Sequence, residues 1–436
     1  MLLFFAAWAV YNLNCRPITS GDTIPAALLP LRVVLDGTLT FDRYADGLAR
    51  LYNGGAYFLH RENGHFYSRY PIAIPLLLTP AYAPLRLVPG IRDWPLPRLL
   101  VLARVFEKIW ASLIAAASVT FLFLLLRRLT EANYAVLLAL IFGFATSTWS
   151  ISSQALWQHG MSQLTIILSL LFVERFLESG SWRSCAGAGL VAALSVAVRP
   201  TNVLFFVISS LVLLVFTKDR RKVFMCYSAF GGFCGCALAL YNLWLFGSLG
   251  GGYADEPLGG ALLAGLLGLS FSPSHGFFLY SPILLFGFAG IFSRFRSAPG
   301  RSKAVFLISL GFFFSLLALY ANYALWWGGA CYGPRYMTDA IPAMVLLLVP
   351  VLPYLRRSRL VKAAFAGALA FSFAVQVVGA FSYPLGERPG QALWDWKHNP
   401  IVRNASAGLY LHGYRVLWDY AHGRHPDFRK YGLRIE

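Results

Sequence analysis

Apolar runs separated by short polar breaks cover the chain from its first residues, MLLFFAAWAVYNL, to about residue 382. Crossing about 30 Å of hydrocarbon takes about 20 mostly apolar residues. On that measure the pattern predicts membrane helices near 1–13, 105–126, 132–151, 160–177, 184–198, 201–216, 223–246, 276–293, 304–326, 337–355 and 361–382. The expected fold class is an all-α polytopic membrane protein with about 11 transmembrane helices, in a range of 9–13. The spans 184–198 and 201–216 are short and meet at Arg199-Pro200, which suggests a hairpin that stops below the outer surface.

The polar breaks set orientation. Arg127-Arg128, Arg183, TKDRRK at 217–222, RFRSAPGRSK at 294–303 and RRSRLVK at 356–362 are basic, and basic turns stay cytoplasmic. The segment YPIAIPLLLTPAYAPLRLV at 70–88 is long enough to cross but carries four prolines. A crossing there would place every later basic turn outside, so it reads as a re-entrant or interfacial helix. Residues 14–104 then form one long external loop with interfacial helices. Further external pieces lie near 152, at 247–275 and at 326–336, followed by an external C-terminal tail, 384–436. Residues 1–383 make the membrane domain.

Composition supports the membrane reading, with 58% hydrophobic and 13% charged residues and a mean hydropathy of +0.59. The net charge of +18 is gathered in the breaks between apolar runs, so it marks topology and not a nucleic-acid surface. The first run has neither the charged start nor the small-residue cleavage site of a signal peptide. GxxxxGK[ST], HExxH and GxSxG are all missing, which argues against an ATP-driven pump, a zinc protease and an ordinary hydrolase.

Chemistry-bearing residues collect on the outer side. Asp22, in SGDTIPA just past the first helix, stands at the hydrocarbon edge, where an acid marks a functional site or, equally, caps the helix starting at Ile24. Gly21 beside it allows close backbone approach to a ligand. Asp36 and Asp42 flank a turn and suit structural roles, and Glu107 is an ion-pair partner of Lys108 or a substrate contact. Arg69, Arg199 and Arg335 could bind a phosphate through their guanidinium forks. His159, His275, Tyr280, Tyr332 and Tyr336 are candidate substrate contacts, although capping and interfacial aromatic belts explain such residues as well. The six cysteines lack zinc-site spacing, and Cys15 with Cys331 is the one candidate external disulfide.

In order along the chain, SGDTIPA, YSRYPIAIPLLLTPAYA, FATSTWSISSQALWQHG, VRPTN, FSPSHGFFLYSP and WWGGACYGPRYMTDAIP resemble bacterial lipid-carrier-dependent glycosyltransferases of the GT-C superfamily, relatives of protein O-mannosyltransferases and aminoarabinose transferases. The resemblance covers about residues 1–385. It implies inverting transfer of a sugar from a polyprenyl-phosphate donor to a lipid, glycan or protein acceptor, outside the plasma membrane. Asp22 would be the general base or a ligand of a divalent metal. Many members pair that acid with a second one, whereas here Gly21 and His159 hold the corresponding places. A polytopic transporter or lipid flippase is the alternative, but it predicts paired repeats and charges deep within spans. A structural scaffold is the third reading and gives no reason for a one-sided site.

Overall fold

Unpaired peptide groups are costly in hydrocarbon, and a helix pairs all of its own within one segment, so the apolar runs fold as helices. The computed structural model describes residues 1–52, 55–254, 258–294, 298–383 and 393–422. Helix dominates them, with one small β-hairpin among them, and the protein is an all-α integral membrane protein. Asp255 and Glu256, in the expected external loop, lie outside the described residues.

Among the described residues, six helices are long and apolar enough to cross: Leu96–Leu129, Gln158–Ser179, Arg220–Phe246, Gly300–Ala321, Arg335–Arg357 and Arg359–Phe381. Six shorter apolar helices accompany them: Leu2–Asn12, Ala132–Phe144, Trp182–Val198, Pro200–Phe216, Leu262–Phe271 and Pro282–Phe292. The predicted hairpin at Arg199-Pro200 is present. Arg199 is extended (φ −149°), Pro200 cannot donate to the preceding helix, and Asn202 closes the tip by donating to the Ser195 carbonyl at 3.0 Å.

Several expectations need correction. The helix predicted to start at 105 starts at Leu96 and runs 34 residues, about 51 Å at 1.5 Å per residue, so it outruns the hydrocarbon. The 247–275 loop contains the helix Leu262–Phe271, which packs on Gly300–Ala321 where Gly265 and Gly268 leave room for the Ala321 backbone and the Trp326 ring. The stretch 14–104 also holds strands Leu59–Glu62 and His65–Ser68, joined through Asn63-Gly64 with φ of 49° and 82°. Asn-Gly suits that left-handed turn.

The stretch 70–88 folds as the helix Ala73–Tyr82 followed by a short 3₁₀ turn, and neither can cross alone. It packs on Ile24–Asp36. Leu28, Phe41, Phe58, Leu78, Tyr82 and Leu99 build a core there, separate from the main core of the membrane helices. Residues 14–104 are therefore a folded layer with a core of its own. Asp36 pairs with Arg32, and Asp42 holds the hairpin by accepting from the Phe66 amide (2.6 Å) and sharing a hydrogen bond with His65 (2.7 Å), so both acids are structural. Cys15 and Cys331 carry free thiols, so the candidate disulfide is not formed.

Candidate functional site

The turn that carries Asp22 is fixed by its neighbours. Ser20 accepts from the Asp22 amide, and Ser20 with Thr23 forms a reciprocal capping box. The cap role belongs to Ser20, which leaves the Asp22 carboxylate for other partners. Arg104, on the Leu96–Leu129 helix, donates to the Thr23 hydroxyl (3.0 Å) and the Ser20 carbonyl (3.4 Å), and pairs with Glu107 at 2.7 Å. Glu107 thus pairs with Arg104 and not with Lys108, and its second oxygen accepts from the Leu156 amide at 3.1 Å. Lys108 donates to the Tyr11 carbonyl and the Gln154 side chain, at 2.8 and 2.7 Å. One helix face thereby locks the exit of the first helix, the Asp22 turn and the approach to Gln158.

Three side chains converge on the Asp22 carboxylate. Tyr57 and Tyr70 each donate to Oδ1 at 2.9 Å, and Arg335 Nη1 binds Oδ2 at 2.5 Å. Burial alone would raise the carboxyl's pKa, but the charge and hydrogen bond of Arg335 and the two phenols outweigh it and hold Asp22 below the usual carboxylate range. Burial and the Asp22 charge push Tyr57 up to about 12 and raise Tyr70 as well, so both phenols remain donors. Gly21 makes room for the Tyr57 ring, because a Cβ there would lie 2.9 Å from the ring carbon Cζ.

Asp22 and Arg335 border a cavity of about 340 Å³. Its walls also bring in Arg199, His159 and Tyr336, so five of the predicted site residues share one space. Asp339 lies behind it, fully buried, paired with Arg199 Nε at 2.7 Å and with His159 Nδ1 at 3.2 Å. Arg199 also donates to Tyr320 at 2.5 Å and to Gln158 at 3.3 Å. Tyr336 stacks on Tyr320 at 4.3 Å, and Arg335 lies over the Trp157 ring at 5.0 Å. Each guanidinium thus has its own carboxylate, and the cavity is close to charge balance.

Other predicted residues stand elsewhere. Arg69 donates to the Gly252 carbonyl at 2.8 Å and lines a neighbouring apolar chamber of about 270 Å³, which shares Tyr70, Pro71, Pro200 and Tyr253 with the polar cavity. Tyr280 and Tyr332 meet edge to face at 5.2 Å in a separate small core, where Tyr332 donates to the Val375 carbonyl. His275 is buried and does not line the cavity. These three stand apart from the cavity that Asp22 borders.

Among the described residues no group of three or more His, Cys, Asp or Glu side chains could hold a metal ion. The groups around Asp22 are a guanidinium and two phenols acting as donors, which is the wrong surrounding for a cation. A divalent ion does not fit there.

Sequence reasoning missed Asp339, although an acid opening an apolar run was a usable signal. Tyr57 and Tyr70 reach Asp22 from 35 and 48 residues away, and nothing local marks either as its partner. No protein-family model matches the chain, and no curated protein gives a significant match.

Proposed function

We propose that the protein is a membrane glycosyltransferase that moves a sugar from a polyprenyl-phosphate donor to an acceptor hydroxyl on the external face of the plasma membrane. The observation that carries this reading is the meeting of a carboxylate, Asp22, with two guanidinium groups, Arg335 and Arg199, in one walled cavity. Gln158, at the start of the helix Gln158–Ser179, also lines the cavity, and helix N-termini favour anions.

In this reading the donor phosphate takes Arg335 from Asp22. Arg335 Nε, buried and without a hydrogen-bond acceptor among the described residues, offers a further contact. Losing the cation raises the basicity of Asp22, so donor binding readies the base. The acceptor oxygen attacks the anomeric carbon while Asp22 takes its proton. The bond from that carbon to the phosphate oxygen breaks, and its electron pair leaves with the polyprenyl phosphate. One displacement inverts the anomeric centre. The apolar chamber beside the cavity, walled by Phe233, Ala237, Leu238 and Tyr241, suits the first part of a prenyl chain.

Arg335→Lys keeps the charge and loses the planar fork. Its donor dissociation constant, measured with a non-transferable polyprenyl-phosphate sugar, should rise by about tenfold, the equivalent of about 1.4 kcal/mol. Unchanged affinity would move the phosphate to Arg199.

The same reading places eleven crossings and puts the cavity outside. Cysteines replacing Asp93 and Ser248 in a cysteine-free chain should both react with an impermeant maleimide from the external side, and one replacing Lys218 should not. Cytoplasmic labelling at Asp93 would overturn the topology.

A further inference from the structure

No described residue of the tail after the Arg359–Phe381 helix lines the cavity, yet the tail is tied to the exit of the first helix. The Tyr410 amide donates to the carbonyl of Phe381, the last residue of that helix, at 2.8 Å. Tyr414 donates to the Leu13 carbonyl, one residue beyond the first helix. Arg16 donates to the Tyr383 carbonyl and lies 4.0 Å from the Tyr410 ring centre. No side chain would fit at Gly413 against the Cys15 carbonyl. The start of the helix His412–Ala421 is therefore held at the level where two apolar helices end.

At that level the tail leaves apolar groups uncovered. Leu411, Tyr414 and Trp418 follow one another at helical spacing and are all exposed, Trp418 at 62%. Before them, the helix Pro400–Ala407 packs on Arg359–Phe381 and puts Ile401 against the small core of Tyr280 and Tyr332, while Val402 is exposed. Trp394, Trp396 at 58% and Leu409 at 64% are exposed too. Tryptophan and tyrosine with short aliphatic stretches suit the headgroup boundary, where one part of the ring is apolar and the other hydrated. Cationic side chains stand among them: Lys397 and Arg415 are exposed and Arg403 is partly so. In sequence the tail continues through Arg424, Arg429, Lys430 and Arg434.

We infer that residues 393–421 form an interfacial element that lies on the surrounding bilayer and binds its anionic phospholipid headgroups through the Trp418 stripe and the neighbouring arginines. A short amphipathic helix with a mixed aromatic and cationic surface binds such a layer by burying its apolar side about 5–10 Å into the headgroup region and by charge attraction. A second protein could cover an apolar stripe, but it gives no reason for the stripe to be pinned at the ends of two membrane helices. The element also clamps Arg16, six residues before Asp22, so it holds the chain that enters the candidate site. This inference does not depend on glycosyl transfer.

The test uses the full-length, cysteine-free chain in phosphatidylcholine nanodiscs with and without phosphatidylglycerol. An environment-sensitive nitrobenzoxadiazole probe is attached at Trp418→Cys and, separately, at Leu411→Cys, with thermal melting confirming the fold of each. A doxyl quencher near the headgroup end of the acyl chain should lower emission by about twofold at both sites, as expected for a probe within about 5–10 Å of the headgroups. Quenching should weaken without phosphatidylglycerol, at high salt and in Arg403→Gln/Arg415→Gln. Absence of quenching at both sites in well-folded protein overturns the inference. So does a blue-shifted emission that ignores the quencher and fades on dilution, because a second copy would then cover the stripe.

Discussion

Asp22→Asn is expected to cut turnover by at least about a hundredfold, since general-base loss costs about 10²- to 10⁴-fold. The amide oxygen can still accept from Tyr57 and Tyr70, and Ser20 caps the turn whichever residue stands at 22. Expression and melting temperature should therefore stay near wild type. Donor binding should hold or tighten, because Arg335 no longer has a competing carboxylate. This separation distinguishes a base from a structural acid, whose loss would weaken folding and binding together. The pH profile gives an independent check. Although burial raises the Asp22 pKa, Arg335 and the phenols bring it below the ordinary range, so the acid limb of kcat/KM should lie below the usual carboxylate region. Tyr70→Phe removes one bond that favours the charged form, raises that pKa and should move the limb to higher pH. A limb that stays in place on Tyr70→Phe would assign it to another group.

Asp339→Ala is expected to be the most damaging single change to stability. It strips the shared carboxylate from Arg199 and His159 at a fully buried position. Removing one partner of a buried pair costs about 3–5 kcal/mol, largely because the remaining charge has no compensation. Replacing both charges, as in Asp339→Leu with Arg199→Met, should recover much of that loss, and a double-mutant cycle on thermal melting should give a coupling of about 0.5–3 kcal/mol. The recovered double variant should still bind donor poorly, because Arg199 lines the cavity. An Asp339→Ala variant that melts like wild type would show that the pair is not closed in the membrane.

The sequence made the membrane class legible because hydrocarbon imposes a length and a composition on every crossing. The Arg199-Pro200 hairpin was readable for an equally local reason, a proline after two short apolar runs. The β-hairpin has a local signal in Asn63-Gly64, but its strands are only four residues each and show no clear apolar alternation. Site residues divided along another line. Asp22, Arg199, His159 and Arg335 interrupt apolar sequence with charge or polarity, which is costly unless each finds a partner, and all four meet at the cavity. Tyr280, Tyr332 and His275 looked similar from sequence, yet pack away from it, because aromatic and imidazole groups serve cores and interfaces as readily as sites. Tyr57 carries no signal in sequence, and Tyr70, although inside YSRYPIAIPLLLTPAYA, is not marked there as a partner of Asp22. Their role depends on how the hairpin and the Ala73–Tyr82 helix fold back over the first turn, and that is a tertiary fact with no local signature.

Release of free polyprenyl phosphate is the measurement that bears most directly on the proposed transfer reaction. The purified chain in nanodiscs would be given a panel of polyprenyl-phosphate sugars with a crude membrane-envelope acceptor, without ATP or an ion gradient. The predicted result is release from at least one donor by the wild type, a fall of at least about a hundredfold for Asp22→Asn, and retained donor binding in that variant. The contradicting result is no release from any donor that binds, together with movement of the intact donor across sealed liposomes, which would make the cavity a transport site.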